Sequence, residues 1–121
     1  MSRGGLDWRD ARALAREFLV MSQAEFSARF KGSAVKRAKR RGLARNAAVV
    51  LGNMGLDSDV PVLVAALTDE EPLVRAHAAW ALGRLEAMPA EDALRARLVV
   101  ELDEAARREL LSALGALSGG R

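Results

Sequence analysis

Cysteine is absent from the 121 residues, which excludes disulfides, thiolate-held iron–sulfur clusters, cysteine-type zinc sites and thiol nucleophiles for this chain. A single histidine, His77, has no His-x-His or His-Glu grouping around it and cannot build a metal site alone. Tyrosine is missing too, and three phenylalanines and two tryptophans are all the aromatic residues there are. With β-branched residues sparse and alanine, leucine and arginine dominant, strands are disfavoured and an all-α fold is expected. No stretch approaches the roughly 18 to 20 apolar residues of a membrane span, and MSRGGLDWRD lacks the apolar core of a signal peptide. A soluble, cytoplasmic protein with no membrane contact is expected.

Acidic residues are missing from one long stretch: none occurs between Glu25 and Asp57. Within it, Arg29, Lys31, Lys36, Arg37, Lys39, Arg40, Arg41 and Arg45 crowd eight cations into 17 residues. Residues 1–56 carry a net charge of +8 and residues 57–121 a net charge of −5, so a modest total of +3 hides a strongly positive end. Such asymmetry is the electrostatic footprint of a polyanion partner. With no acid at i+3 or i+4 inside the run, like charges weaken a helix there unless an anion relieves them. The plainer alternative is a solvated face.

Taken in order, residues 7–20 place Trp8, Ala11, Leu14 or Ala15, Phe18 and Leu19 at helical spacing, a first amphipathic helix. Ser22 and Glu25 form the S-x-x-E capping pattern, with Met21 and Phe26 at the positions of a hydrophobic staple. They open a short helix over 23–30, ended at Gly32. Ser33 is positioned to cap a third helix that carries the basic run on a narrow stripe of Ala34, Val35 and Ala38, and Gly42 is expected to break it.

A repeat then decides the fold. Leu51-Gly52, Leu82-Gly83 and Leu114-Gly115 recur at spacings of 31 and 32, at the ends of ARNAAVVLG, RAHAAWALG and RRELLSALG. Each repeating helix follows another helical segment, and the basic helix is read as the degenerate first member of the first pair. Residues 69–85 follow D-x-x-P-x-V-R-x-x-A-x-x-A-L-G-x-L, which resembles the short HEAT-like repeat. Stacked pairs of this kind share one core. The expected architecture is an all-α, short HEAT-like (PBS-lyase-type) helical-repeat solenoid of about seven to eight helices in one domain. Its parts are a helical pair over 1–32 and repeats at about 33–55, 56–86 and 87–121.

Within 74–85, Val74, Ala78, Ala81, Leu82 and Leu85 form the apolar face, and Ala76, Ala79 and Gly83 are small enough for another backbone to come close. The remaining edge carries His77, Trp80 and Arg84; one repeat earlier stand Asn46, Val49 and Asn53, and one later Glu109, Ser112 and Ala116. This reads as a groove that is polar and basic over two repeats and ends at a capping third. His77 and Trp80 also read as ordinary packing residues, and Arg75 as an inter-repeat contact. The basic run suits phosphate contacts. Asn46, Asn53, His77 and Arg84 suit base edges or 2′-hydroxyls, with Trp80 a stacking surface if exposed.

Phe30, Gly32, Ser33 and Arg37, then Gly42, Leu43, Arg45, Asn46, Leu51, Gly52 and Asn53, make up F-x-G-S-x-x-x-R and G-L-x-R-N-x-x-x-x-L-G-N ahead of the repeats. This combination resembles the C-terminal region of epoxyqueuosine reductases, which complete queuosine in the anticodon of certain tRNAs. The resemblance implies a domain, fragment or stand-alone descendant, that holds the tRNA anticodon region while the enzyme's catalytic domains act. Those domains bind cobalamin and two cysteine-ligated iron–sulfur clusters, so this chain without cysteine implies no cofactor and no catalysis of its own. A HEAT-like scaffold for an acidic protein partner is the competing reading. A relative of bilin-lyase subunits fits less, since those lack the GLxRN segment.

Overall fold

The computed structural model describes residues 8–30 and 36–119. They form seven α-helices: α1 (Trp8–Val20), α2 (Gln23–Arg29), α3 (Lys36–Met54), α4 (Val60–Ala66), α5 (Pro72–Arg84), α6 (Glu91–Val100) and α7 (Glu104–Gly119). Short 3-10 turns at Asp57–Asp59 and Met88–Ala90 introduce α4 and α6. No strand occurs among the described residues. The helices lie in two rows. In one, α5 packs between α3 and α7; in the other, α1 covers α3, α4 covers α5 and touches α1, and α6 covers α7.

The chain's local chemistry explains the punctuation. The Ser22 hydroxyl accepts from the Glu25 N–H at 3.1 Å, and the Ser22 N–H donates to Glu25 Oε1 at 2.8 Å, closing a capping box. Met21 and Phe26 flank it and are buried, and the Phe26 and Phe18 rings lie 4.5 and 6.3 Å from that of Phe30. Pro72 occupies the first turn of α5, where its missing N–H costs nothing. Asp103 starts α7 by accepting the Ala106 N–H at 2.9 Å.

Two sequence expectations give way in α3. Gly42 does not break the basic helix: α3 runs unbroken from Lys36 to Met54, so the basic run and the first Leu-Gly helix are one element. A glycine costs a helix only about 1 kcal/mol relative to alanine, and the buried Ala44, Ala47, Ala48 and Leu51 beyond it anchor the whole length. The role of pairing with this helix falls to α1 instead. Ala38 is exposed rather than part of an apolar stripe, while Ser33, Ala34 and Val35 lie outside the described residues.

Close packing along the α3–α5–α7 row depends on the repeated glycines. A Cβ on Gly52 would stand 2.8 Å from the Trp80 ring and 3.0 Å from the Ala81 Cβ; one on Gly83 would stand 3.0 Å from the Ala113 Cα. Only a residue without a side chain lets the helices approach so far. Gly115, third in the series, has nothing within 4 Å.

Arginines of this row tie the turns together. Arg40 donates to the Met21 carbonyl at 3.1 Å and to the Asp69 carboxylate at 2.7 and 3.1 Å. Arg75 repeats the device one pair on, donating to the Asp69 carbonyl at 2.8 Å and to both Glu101 oxygens at 2.7 and 2.8 Å. Arg107 holds its own turn through the Leu98 and Glu101 carbonyls, at 2.9 and 3.0 Å, and has no carboxylate partner among the described residues. On the other row, buried Asp59 accepts from Arg12 at 2.8 Å and Arg16 at 2.6 Å, fastening α1 to the start of α4.

The last pair leaves apolar side chains uncovered. Leu111 on α7 is 54% exposed where its counterparts Ala48 and Ala79 are fully buried, and Val99, Val100 and Leu102 are exposed where α6 runs into α7.

Candidate nucleic-acid interface

The described members of the basic run lie at the end of α2 and in the first three turns of α3, and they divide sharply by environment. Arg40 is 1% exposed and belongs to the interior. Burial works against its charge, and the hydrogen bond and Coulomb attraction of Asp69, helped by Glu70 and Glu71, outweigh it, so its pKa is raised. Its Nε is buried without a partner. The expectation that Arg40 meets phosphate is therefore corrected: its guanidinium fork is occupied by Asp69 and Met21. Arg41 is half-exposed and lies 3.4 Å from Glu71. Arg29 pairs with Glu17 at 2.7 Å, both half-exposed, and stands 5.9 and 5.7 Å from the Phe18 and Phe30 rings. The anions that relieve the run thus come partly from the protein itself, on elements far away in sequence.

Lys39 and Arg45 have no acid partner among the described residues. Lys39 is exposed, and Arg45 is half-buried with its Nε donating to Asn46 Oδ1 at 3.2 Å. Asn46 is exposed beside it. Lys36 and Arg37 open α3; Lys31 lies outside the described residues.

Further along α3, the polar edge read from the repeat register is linked in part, through Asn53, Arg84 and Trp80. Arg84 Nε donates to Asn53 Oδ1 at 2.9 Å, across a separation of 31 residues, and its guanidinium carbon lies 6.0 Å from the Trp80 ring centre. The His77 Nδ1 lies 2.9 Å from the Leu73 carbonyl. A carbonyl only accepts, so the ring proton sits on Nδ1 and Nε2 carries the lone pair in the neutral form. Asn53, His77 and Trp80 line a cleft of about 660 Å³ between α3, α5 and α7, together with Asp103, Arg108 and Glu109.

That last trio alters the expected groove. The third repeat does not simply end it; it supplies a wall with two carboxylates and one guanidinium. Glu109 was visible in the repeat register as the counterpart of His77 and Asn46, whereas Asp103 reads in sequence only as a helix start. The acids that neutralise Arg40 and Arg75, Asp69 and Glu101, stand 32 residues apart at equivalent points of the repeat, but only the structure shows which arginine each one meets.

Glu101 shows how strongly these turns are held. Its carboxyl is pulled down to about 2, chiefly by the Arg75 hydrogen bond, with burial opposing and the Asp103 N–H and Arg97 assisting. The Arg75 pKa is raised, first by the Glu101 hydrogen bond. These two groups serve the scaffold.

Residues 33–115 match the family described as HEAT repeats. The chain belongs to that family. Among solved structures, this HEAT-repeat chain is similar to selenomethionine-labelled epoxyqueuosine reductase, with 27% identity over 86% of this chain and a TM-score of 0.72. It is similar at 27% identity, 85% coverage and a TM-score of 0.73 to epoxyqueuosine reductase with a tRNA-Tyr epoxyqueuosine-modified tRNA stem loop. The Bacillus subtilis reductase with its catalytic loop swung out of the active site gives 27%, 86% and 0.73. In each case this chain spans 28% of the reductase chain. Comparison with curated protein sequences gives no match. No group of three metal-ligating side chains and no helix able to cross a membrane occurs among the described residues.

Proposed function

We propose that this HEAT-like domain holds structured RNA, a tRNA anticodon stem-loop above all, as a non-catalytic partner of queuosine-forming catalytic domains. The observation that carries the reading is the likeness, at 27% identity, to a reductase solved with a tRNA stem loop. The charge distribution supports it: Lys39, Arg41 and Arg45 offer cations at the start of α3, joined by Lys36 and Arg37 in its first turn. Asn46, Asn53, His77 and Arg84 extend the surface with neutral and cationic donors suited to 2′-hydroxyls and base edges. Arg40 keeps α3 in place against the Asp69 turn and takes no direct part.

Binding of a fluorescent anticodon stem-loop across a salt series tests the proposal. With about four phosphates neutralised, affinity falls on the order of a hundredfold between about 50 and 200 mM salt. Affinity that ignores salt, or no binding at the low end, rejects it.

One feature favours a second reading, docking of another protein. Gly115 has no neighbour, Leu111 is exposed, and Arg107 has no carboxylate partner among the described residues. These are the three contact types that join the earlier pairs, left open on α7 among the described residues. A partner that brings a further HEAT-like helical pair, with an acid in its turn, is the matching occupant.

A further inference from the structure

We infer that the cleft between α3, α5 and α7 takes up one unpaired nucleobase, guanine in preference, so that the domain reads RNA sequence at one position besides gripping its backbone. The inference rests on the RNA reading above and deepens it.

Size and walls suit a flat heteroaromatic ring. At about 660 Å³ the cleft lies within the range of small-molecule sites, and Val49, Leu73 and Ala76 give it apolar surface. Trp80, half-buried, is held before any ligand arrives: its ring edge packs over Gly52, and Arg84 lies against the ring while tied to Asn53. A fixed indole of this kind is a stacking platform with little ordering left to lose.

The acids decide which part of an RNA can enter. Asp103 is committed to the Ala106 N–H. Glu109 is half-buried, and among the described residues it has no hydrogen bond or ion pair, since Arg108 reaches back to Glu104 at 3.6 Å. A free carboxylate repels phosphate and demands donors. Guanine presents N1–H and N2–H side by side, matching the two oxygens of one carboxylate, whereas uracil offers a single N–H between two carbonyls. His77 lines the same cleft, and its Nε2, left free by the Nδ1 contact to Leu73, is open to a base.

The cleft also lies where an RNA chain would deliver a base. Asn46, Val49 and Asn53 share one edge of α3, so the cleft begins about 5 Å along the axis from Asn46 and the cations beside it. Phosphates gripped at Lys39, Arg41 and Arg45 leave the next nucleotide within reach of Trp80.

The test uses the full chain and an RNA hairpin whose loop residues are replaced one at a time by abasic ribose, each titrated by anisotropy. One loop position is expected to lose about tenfold in affinity when its guanine is removed or changed to uracil. Glu109→Gln, which keeps the shape, removes that discrimination. Equal, salt-sensitive affinity across the whole series overturns the base cleft and leaves the RNA reading standing. Absence of binding to every hairpin overturns the RNA reading, and the cleft with it.

Discussion

Arg40, at the centre of the most basic stretch of the chain, donates to the Asp69 carboxylate at 2.7 Å and is almost completely buried. A residue that looks from the sequence like a surface cation is a strut between α3 and the turn before α5. Removing it leaves the Asp69 carboxylate, itself only 11% exposed, without its main partner. Arg40→Met is therefore expected to cost about 3 kcal/mol in urea unfolding. Lys39→Met, at an exposed neighbour, is expected to change stability by less than about 0.5 kcal/mol. Similar midpoints for the two variants would contradict the assignment.

Glu101 makes the fold acid-sensitive. Its carboxyl titrates at about 2 in the folded chain and near the usual 4.5 when unfolded, so the folded state favours its charged form. That stabilisation is complete above the unfolded value and is lost as pH falls from about 4.5 through 2, on the order of 3 kcal/mol in all. Glu101→Gln should be less stable than the parent at neutral pH, and the gap should close towards pH 2. A gap independent of pH would show that the Arg75 pair does not hold the turn.

Two of the three Leu-Gly glycines should respond oppositely to alanine. At Gly83 a methyl group meets the Ala113 backbone at 3.0 Å, and Gly83→Ala is expected to cost about 1 to 3 kcal/mol by forcing α5 and α7 apart. At Gly115 nothing lies within 4 Å, and Gly115→Ala should stabilise α7 by about 0.5 to 1 kcal/mol. Thermal melts of the two variants check this, and shifts of the same sign would count against the packing described.

The repeat made much of the architecture legible. A Leu-Gly pair every 31 or 32 residues places the inner helices and puts Asn53, His77 and Trp80 on one edge, where the cleft lies. The Ser22–Glu25 box was readable because both partners are local. Arg40 was not: its partner is 29 residues away, and a search for acids at i+3 and i+4 cannot find it. Gly42 misled because a glycine signals a helix end only when no packed stretch follows, and here four buried residues do. The exposed Leu111 was hidden for a further reason, since a leucine at a helical position reads as core whether or not a neighbour exists to cover it.

The start of α3 is proposed to bind RNA phosphates through Lys39, Arg41 and Arg45. The most direct measurement is the affinity of a tRNA anticodon stem-loop for the parent chain and for the Lys39→Glu, Arg41→Glu, Arg45→Glu variant, with circular dichroism melts of both. The expected result is a loss of about a hundredfold or more, a shallower salt dependence, and a transition that stays cooperative at a melting temperature lowered by the loss of the Arg41 contact to Glu71. Affinity within about twofold of the parent, at the same salt slope, would contradict it.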